Sequence, residues 1–562
     1  MTNYNREEIE RWITDDPDET TAAEIQALLD QADAGSEAAA EDLADRFAGS
    51  LTFGTAGLRG HLGGGPNRMN RAVVLRAAAG LMKFLQQKLP DGYTVVVGYD
   101  ARYGSRQFAL DTAAVAEANG GHALIFDSAL PTPLTAFALR HLDADAAVMV
   151  TASHNPPEDN GYKVYLGGRV VQDSGQGAQI VPPYDQEIFT AIQSVPSVAS
   201  IARAESGWEW LGSELVDRYL ARIQELVQPG PRDLRIVVTS MHGVGGETML
   251  AALDRLGFTD VTAVPEQQQP DPDFPTVAFP NPEEPGALDL AMALAAKLDA
   301  DIILANDPDA DRSSAAIPDP SAPGGWRQLS GNEVGGLLGE QTAAELAGQS
   351  EAVLANSLVS SRLLSRIAAR YGLQHRRTLT GFKWISRVPG LVYGFEEALG
   401  YCCDPNYVRD KDGISASSRL AALAAQLKAD GSSIQEMLDR QAREYGLHAT
   451  APLTIRVDDL SLIAQGMANL RAQGIQTIAG SPVVETVDLA TGSDELPPTD
   501  GLLYLTEAGD QVVVRPSGTE PKLKCYIESI VPVEGDDVAS ARAVATERLE
   551  AIKVDMRAAM GI

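Results

Sequence analysis

The residues best suited to chemistry sit in a few short polar loops. Asp307-Pro308-Asp309-Ala310-Asp311-Arg312 puts three carboxylates at alternate positions. Spaced this way they can converge on one hard cation, and oxygen-only ligands suit Mg²⁺. Crowded carboxylates repel one another, and a cation removes that penalty. An EF-hand is excluded, because Arg312 and Pro318 stand where that loop needs Gly and Glu. A solvated acidic turn is the plain alternative. Arg312 beside the cluster suits a bound phosphate. A second loop, Thr151-Ala152-Ser153-His154-Asn155-Pro156-Pro157, offers Ser153. A serine hydroxyl is a weak nucleophile until a base, a metal or a covalent modification activates it. No G-x-S-x-G elbow is present, so a hydrolase triad is not indicated. Lys163 follows the tight turn Asn160-Gly161 and can return toward the serine. A capped Asn/Pro/Gly loop without function is the alternative.

Other loops carry complementary groups. Arg515-Pro516-Ser517-Gly518-Thr519 has small residues whose backbone N–H groups can curl around an anion. Its hydroxyls add donors, and Arg515 can grip phosphate through two parallel hydrogen bonds. Gly394-Phe395-Glu396-Glu397-Ala398-Leu399-Gly400 sets two carboxylates in an apolar stretch. Unpartnered buried carboxylates are costly, and sugar hydroxyls are natural donors to them. Thr378-Leu379-Thr380-Gly381-Phe382-Lys383 and Asp410-Lys411-Asp412-Gly413 each add a base at a Gly turn. Arg59 and Arg102 each close a Gly-containing loop near the N-terminus. Either alone reads equally well as a structural ion-pair partner.

These loops need elements to hold them. Short β-branched runs such as 93–99, 234–240 and 300–306 alternate with Ala/Leu-rich helical stretches such as 107–118, 247–256 and 288–298. That rhythm predicts α/β domains with mostly parallel sheets. The segments 142–156 and 298–309 share one layout: Leu-Asp-Ala-Asp, a buried strand, then a polar loop. This predicts a repeated α/β unit with active loops at the carboxyl ends of strands. Pro/Gly/Ser-rich stretches at 194–206 and 318–325, and a softer break near 445–451, suggest boundaries. Four domains are expected: 1–206, 207–322, 323–446 and a smaller α+β domain at 447–562. The helical N-terminal stretch has no evident role.

The chain has 562 residues and a formal net charge of −32. So acidic a surface disfavours nucleic acid and anionic membranes. No apolar run approaches the roughly 20 residues that span a bilayer, and the N-terminus lacks a signal layout. A cytoplasmic protein is expected. The cysteines Cys402, Cys403 and Cys525 are too few for a disulfide framework and lack zinc-like spacing.

Together these motifs resemble the α-D-phosphohexomutase superfamily, which includes phosphoglucomutases and phosphomannomutases. The resemblance runs in order from about residue 53 to 528. It implies four domains around a central cleft, each giving one loop, the first three related α/β units with mixed sheets. Ser153 would be a phosphoserine, and Asp307, Asp309 and Asp311 would hold Mg²⁺ together with it. Arg59 and Arg312 would sit near the transferring phosphate, and Lys163 would be a general base or acid. Arg102, His154, Thr380, Gly381, Lys383, Glu396, Glu397 and Lys411 would contact substrate. Arg515, Ser517, Gly518 and Thr519 would hold the phosphate that is not reacting. The partners implied are small sugar phosphates, with glucose 1,6-bisphosphate as activator and a monomer or small homo-oligomer as the working form.

One departure bears on the sugar. Many hexose mutases have a serine where this chain has Ala398. The Glu-Glu-Ala-Leu-Gly form resembles a subgroup that also contains phosphopentomutases and glucose-1,6-bisphosphate synthases. Interconversion of glucose 1-phosphate and glucose 6-phosphate is the first expectation, then a phosphopentomutase, then a phosphomannomutase. A metal-dependent sugar phosphatase would use the same loops, but it needs no second phosphate site. A sugar-phosphate sensor needs no nucleophile.

Overall fold

The computed structural model describes residues 4–54, 57–457, 461–493, 496–516 and 522–561. Three helices open the chain: α1 (Arg6–Asp15), α2 (Glu19–Asp33) and α3 (Glu37–Arg46). They close on a small core of Ile9, Ile25, Leu29 and Leu43. Asp18 and Ser36 cap α2 and α3 through their side chains.

The first α/β region comprises β1 (Leu58–His61), α4 (Arg71–Lys88), β2 (Tyr93–Tyr99), α5 (Ser105–Ala118), β3 (Gly121–Phe126), α6 (Thr132–His141), β4 (Ala146–Val150), β5 (Asp159–Leu166), α7 (Tyr184–Gln193) and β6 (Glu209–Leu211). Its strand order is β1-β5-β4-β2-β3-β6. The strands β4, β2, β3 and β6 run parallel, while β5 turns back antiparallel on β4. Every residue of β4 is buried, which explains its unbroken apolar sequence: an inner parallel strand is covered on both faces.

The second region holds α8 (Ser213–Leu226), β7 (Ile236–Thr239), α9 (Gly245–Arg255), β8 (Val261–Ala263), α10 (Asp289–Leu298), β9 (Ile302–Ala305), β10 (Ser314–Pro318) and β11 (Trp326–Gln328). Its order is β11-β10-β9-β7-β8, with β7 parallel to β8 and β9 and antiparallel pairs from β9 outward. Thus β10-β9-β7-β8 repeats β5-β4-β2-β3. The serine loop joins β4 to β5, and the aspartate loop joins β9 to β10. The likeness of 142–156 to 298–309 reflects this shared topology.

Next come α11 (Gly331–Glu345), β12 (Val353–Ser357), α12 (Leu363–Tyr371), β13 (Gln374–Thr378), α13 (Phe382–Ile385), β14 (Leu391–Glu396), β15 (Gly400–Cys402), α14 (Gly413–Ala429) and α15 (Ile434–Tyr445). Here β12 lies between β13 and β14, parallel to both. The last region has β16 (Leu447–Arg456), α16 (Ser461–Gln473), β17 (Thr477–Ile478), β18 (Ser481–Asp488), β19 (Leu502–Thr506), β20 (Gln511–Pro516), β21 (Lys522–Val531) and α17 (Val538–Met560). Its sheet, β16-β21-β20-β19-β18-β17, is antiparallel. Alternating residues such as Leu453, Leu502, Tyr504, Val512, Val514, Cys525 and Ile527 meet Ile552 and Met556 of α17 in its core. The four regions have the expected class: α/β for the first three and a smaller α+β domain for the fourth.

Contacts divide the chain into two compact units. One contains residues 1–329 and 400–426, the other residues 330–399 and 427–562. In the second unit a buried ion cluster ties β21 to the start of α12. Glu528 accepts from Ser361 Oγ (2.6 Å), the Arg362 backbone N–H (2.9 Å) and the Arg362 side chain, and it meets His448 Nδ1 at 3.1 Å. Its negative charge also suits the positive end of α12. Burial alone would raise the Glu528 pKa, but His448 and Arg362 outweigh it and draw the carboxyl down to about 2.

A carboxyl depressed in the folded state stabilises fully above its unfolded pKa, and that stability is lost as pH falls through the folded one. From an unfolded value of about 4.5, the loss should amount to about 3 kcal/mol between about pH 5 and pH 2. Urea denaturation followed across that range should show this slope in the wild type. The slope should be reduced in Glu528→Gln, and an unchanged slope would remove Glu528 as its source.

Candidate active site

The first unit brings the serine and aspartate loops together. Ser153 Oγ donates to Asp307 Oδ2 at 2.8 Å, across 154 residues of sequence. Ser153 has φ 53°, an uncommon conformation for a residue with a side chain. The Thr151 hydroxyl holds the turn by accepting from the Ser153 N–H at 2.8 Å. His154 Nδ1 lies 3.2 Å from the Ser153 hydroxyl. Burial, followed by the charges of Arg312 and Arg59, pushes the His154 pKa well below its usual value, so its imidazole is neutral. Arg59 reaches the same loop from β1, donating to Asn155 Oδ1 at 3.2 Å. Gly57 lets β1 come this close, because a Cβ there would lie 1.8 Å from the Tyr162 carbonyl oxygen.

Asp307, Asp309 and Asp311 are fully buried, and their oxygens gather within 4.8 Å of one another. Positive groups surround them. Lys163 Nζ donates to Asp309 Oδ2 and Asp311 Oδ2, both at 2.8 Å. Lys411 Nζ pairs with Asp311 Oδ2 at 3.1 Å. Arg312 Nε stands 3.9 Å from Asp307 Oδ2. Thr132, at the start of α6, grips Asp309 twice: its Oγ1 donates to Oδ2 at 2.7 Å and its N–H to the backbone carbonyl at 2.9 Å. These side-chain contacts with the trio fall on Oδ2 atoms, while the Arg312 N–H donates to Asp307 Oδ1 at 3.0 Å. Asp309 Oδ1 and Asp311 Oδ1 are buried and have no hydrogen-bond partner among the described residues.

Two buried anionic oxygens without donors are costly, and a cation satisfies both. The trio can therefore hold a divalent metal, and all-oxygen ligands suit a hard one. The proton affinities agree. Burial, then the charges of Asp309 and Asp311, raise Asp307 well above the carboxylate range. Burial also works against ionising Asp309, but Lys163 outweighs it and holds that carboxyl low.

The arrangement revises two expectations. Lys163, expected as a general base or acid, sits with its Nζ between two aspartates and is protonated, which does not suit a base. Burial lowers its pKa, but Asp309 and Asp311 raise it further, leaving it above its ordinary value, so its ammonium remains a charge clamp between two aspartates. Arg102 is not placed to contact substrate. Its Nη1 donates to the carbonyls of Pro156 (2.7 Å) and Asp159 (3.1 Å), and its Nη2 to those of Ser153 (2.7 Å) and Asn155 (2.5 Å). Asp100 balances its charge at 3.4 Å. Arg102 shapes the serine loop. Sequence reasoning missed Thr132 and Thr151, because no local spacing marks a threonine as partner of a distant loop. Asp410 was passed over too. It steers Lys411 from 3.4 Å while accepting from Tyr165 and Gln179, both at 2.7 Å.

The second unit carries the remaining candidates. Arg515 Nη1 donates to Thr380 Oγ1. Gly381 takes φ 104°, open to glycine, just before Lys383 on α13. Glu396 ends β14. Glu397 accepts from Ser357 (3.1 Å) and Ser360 (2.8 Å), which fixes its carboxylate. Ser517, Gly518 and Thr519 lie outside the described residues.

Comparison with known proteins decides the family. Four domain models of the phosphoglucomutase/phosphomannomutase family match in order: the alpha/beta/alpha domains I, II and III at residues 50–197, 217–321 and 330–445, and the C-terminal domain at 456–551. The chain belongs to this family. A Haemophilus influenzae protein named probable phosphomannomutase is 42% identical over 87% of this chain and 98% of its own length. A mouse phosphopentomutase is 33% identical over 94% of this chain and 91% of its own. A crystal structure titled putative phosphomannomutase, from Thermus thermophilus, superposes with TM-score 0.66 at 24% identity over 89% of this chain and 99% of that one, and it shares the fold. Family membership makes the chain a phosphomutase-type enzyme that acts on small sugar phosphates. No helix among the described residues is long and apolar enough to cross a membrane.

The aspartate trio should bind Mn²⁺ or Mg²⁺ at one site, as read by calorimetry or Mn²⁺ paramagnetic resonance. Asp309→Asn should abolish the binding. Thr132→Val should weaken it by about tenfold, the scale of losing a group that orients a ligand. Unaltered affinity in both variants would rule out the site.

Proposed function

We propose that this enzyme is a Mg²⁺-dependent mutase that interconverts glucose 1-phosphate and glucose 6-phosphate through a phosphoserine at Ser153. The observation that carries the reading is the Ser153 hydroxyl bonded to one aspartate of a buried trio ringed by Lys163, Lys411 and Arg312. A phosphatase or a sensor does not account for a second set of phosphate and sugar groups, Thr380, Glu396, Glu397 and Arg515 with Ser517, Gly518 and Thr519. We assign Arg515 and its loop to the phosphate that stays in place, and the two glutamates to sugar hydroxyls. The fixed carboxylate of Glu397, held by Ser357 and Ser360, supports an ordered hydroxyl site despite Ala398.

The reaction has two halves. Phosphorylated Ser153 gives its phosphoryl group to the free hydroxyl of a sugar monophosphate, forming a sugar bisphosphate. After the bisphosphate reverses ends, its other phosphoryl group returns to Ser153 Oγ, and the Ser153 proton leaves. His154 Nδ1, 3.2 Å from the Ser153 hydroxyl, is the ring nitrogen within reach of that proton, which passes on to the sugar oxygen that the phosphoryl group leaves. Lys163 and Lys411 balance the aspartates, while Arg312 and Arg59 stabilise charge on the moving phosphoryl group, where electrostatics carries most of the catalysis. Asp307, Asp309 and Asp311 would hold Mg²⁺, which would supply Lewis-acid charge stabilisation there. Glucose 1,6-bisphosphate would prime Ser153 as activator.

A second reading, phosphopentomutase, has specific support. Ala398 lacks the hydroxyl found in many hexose mutases, and the mouse relative bears that name.

Ser153→Ala should lower kcat by about 10³-fold or more, as removing a nucleophile does, with the fold intact by circular dichroism. Near-normal turnover would end the phosphoserine reading, and inorganic phosphate as the main product would favour a phosphatase. Among glucose, mannose and ribose 1-phosphates, each with Mg²⁺ and its bisphosphate, kcat/KM should be highest for glucose. A ribose preference would put the pentose reading in its place.

A further inference from the structure

The guanidinium of Arg59 is held by a neutral side chain. Its Nη1 donates to Asn155 Oδ1 at 3.2 Å, and among the described residues this is the one hydrogen bond that the Arg59 side chain makes. Asp309 and Asp311 attract its charge, while Arg312 and Arg102 repel it. Charges of both signs do not fix the plane of a guanidinium, whereas a hydrogen bond is directional. The neutrality of the partner matters as well. A carboxylate placed directly on Arg59 would compete with a phosphoryl group for its N–H donors. An amide fixes the orientation and leaves the positive charge in force.

Asn155 is itself fixed from its other end. Its Nδ2 donates to Asp159 Oδ2 at 2.8 Å. A side-chain amide has one donor end and one acceptor end, and an ionised carboxylate only accepts. Asp159 therefore draws the amide nitrogen toward itself and turns the amide oxygen toward Arg59. With the amide reversed, donor would face donor at the guanidinium and acceptor would face acceptor at the carboxylate. One carboxylate thus sets the direction of both bonds. The backbone keeps the three residues together. Strands β1 and β5 pair antiparallel, with Arg59 opposite Gly161 and His61 opposite Asp159. The Asp159 N–H donates to the Pro156 carbonyl at 3.1 Å, and Arg102 bonds to the carbonyls of both Asn155 and Asp159. His61 Nδ1 lies 2.8 Å from Asp159 Oδ1 without the alignment of a hydrogen bond, and its side chain is largely exposed. So exposed a partner adds little.

We propose that Asn155 and Asp159 are positioning residues for phosphoryl transfer. Asp159 orients the Asn155 amide, and Asn155 aims the Arg59 guanidinium at the group moving to or from Ser153, two residues away in the same loop. The inference rests on the charge-stabilising role proposed for Arg59.

A double-mutant cycle on the full chain tests this, with kcat and KM measured on the sugar 1-phosphate that the wild type turns over fastest. Arg59→Gln should lower kcat by about 100-fold, the scale of losing one group that stabilises a transition state. Asp159→Ala releases the amide, and Asn155→Ala removes it. Each should lower kcat by about tenfold or more, as a loss of positioning does, with KM changed by less than about twofold. Placed in the Arg59→Gln background, neither substitution should lower kcat further, because the group it positions is already gone. Thermal melting verifies that each variant folds, and if Asn155→Ala does not, Asp159→Ala carries the test. A loss of kcat that persists undiminished in the Arg59→Gln background marks a merely structural role and overturns the proposal. Near-normal kcat in Asp159→Ala and Asn155→Ala beside an impaired Arg59→Gln overturns it while leaving the role of Arg59 intact. Normal kcat in Arg59→Gln removes that role, and the proposal with it.

Discussion

Three buried carboxylates within 4.8 Å of one another are the constraint around which the first unit is arranged. Such a cluster cannot stay ionised in a protein interior unless positive charge and donors surround it. Lys163 arrives from β5, Lys411 from the loop just before α14, Arg312 from the aspartate loop itself and Thr132 from α6. Each belongs to a different stretch of chain, so the cluster dictates how those stretches pack. Gly413 is one consequence. A Cβ there would stand 2.1 Å from the Arg312 carbonyl oxygen, so the Lys411 segment approaches only because that position has no side chain.

The same constraint connects folding to chemistry. The contacts that Lys163, Lys411 and the Thr132 hydroxyl make with Asp309 and Asp311 use Oδ2 atoms, leaving Oδ1 of those two aspartates for something else. The scaffold thus holds the carboxylates in place without exhausting them. Ser153 is drawn in through Asp307, and its positive φ aims the hydroxyl that way. Arg102 makes this turn affordable by bonding to carbonyls of residues 153, 155, 156 and 159 from one guanidinium. A loop whose own carbonyls are gathered so tightly presents its serine in one geometry, which positioned phosphoryl transfer requires.

Topology explains why the loops could be found early. The first two sheets share the order of a parallel core with one returning antiparallel strand, and each returns through a functional loop. In both, a continuous apolar strand runs directly into polar residues. Fully buried strands read as unbroken hydrophobic runs, so β4 and β9 and the loops after them stand out without any structure. The antiparallel fourth sheet reads less clearly, because its strands mix exposed and buried positions as in β16.

The sequence by itself determined the chemical inventory, the α/β rhythm and the repeated strand-loop unit, because residue type, hydrophobic period and turn chemistry are local properties. It located Ser153, the three aspartates, Arg312 and Lys411 in loops for the same reason. Only the tertiary structure decided who meets whom. Arg102 and Lys163 looked like groups facing a substrate or a proton, yet packing gives one to backbone carbonyls and the other to two aspartates. Thr132 looked like the ordinary start of a helix, yet it supports Asp309 from 177 positions away. A donor's role depends on which acceptor lies within about 3 Å of it, and no spacing along a chain encodes a distance across the fold.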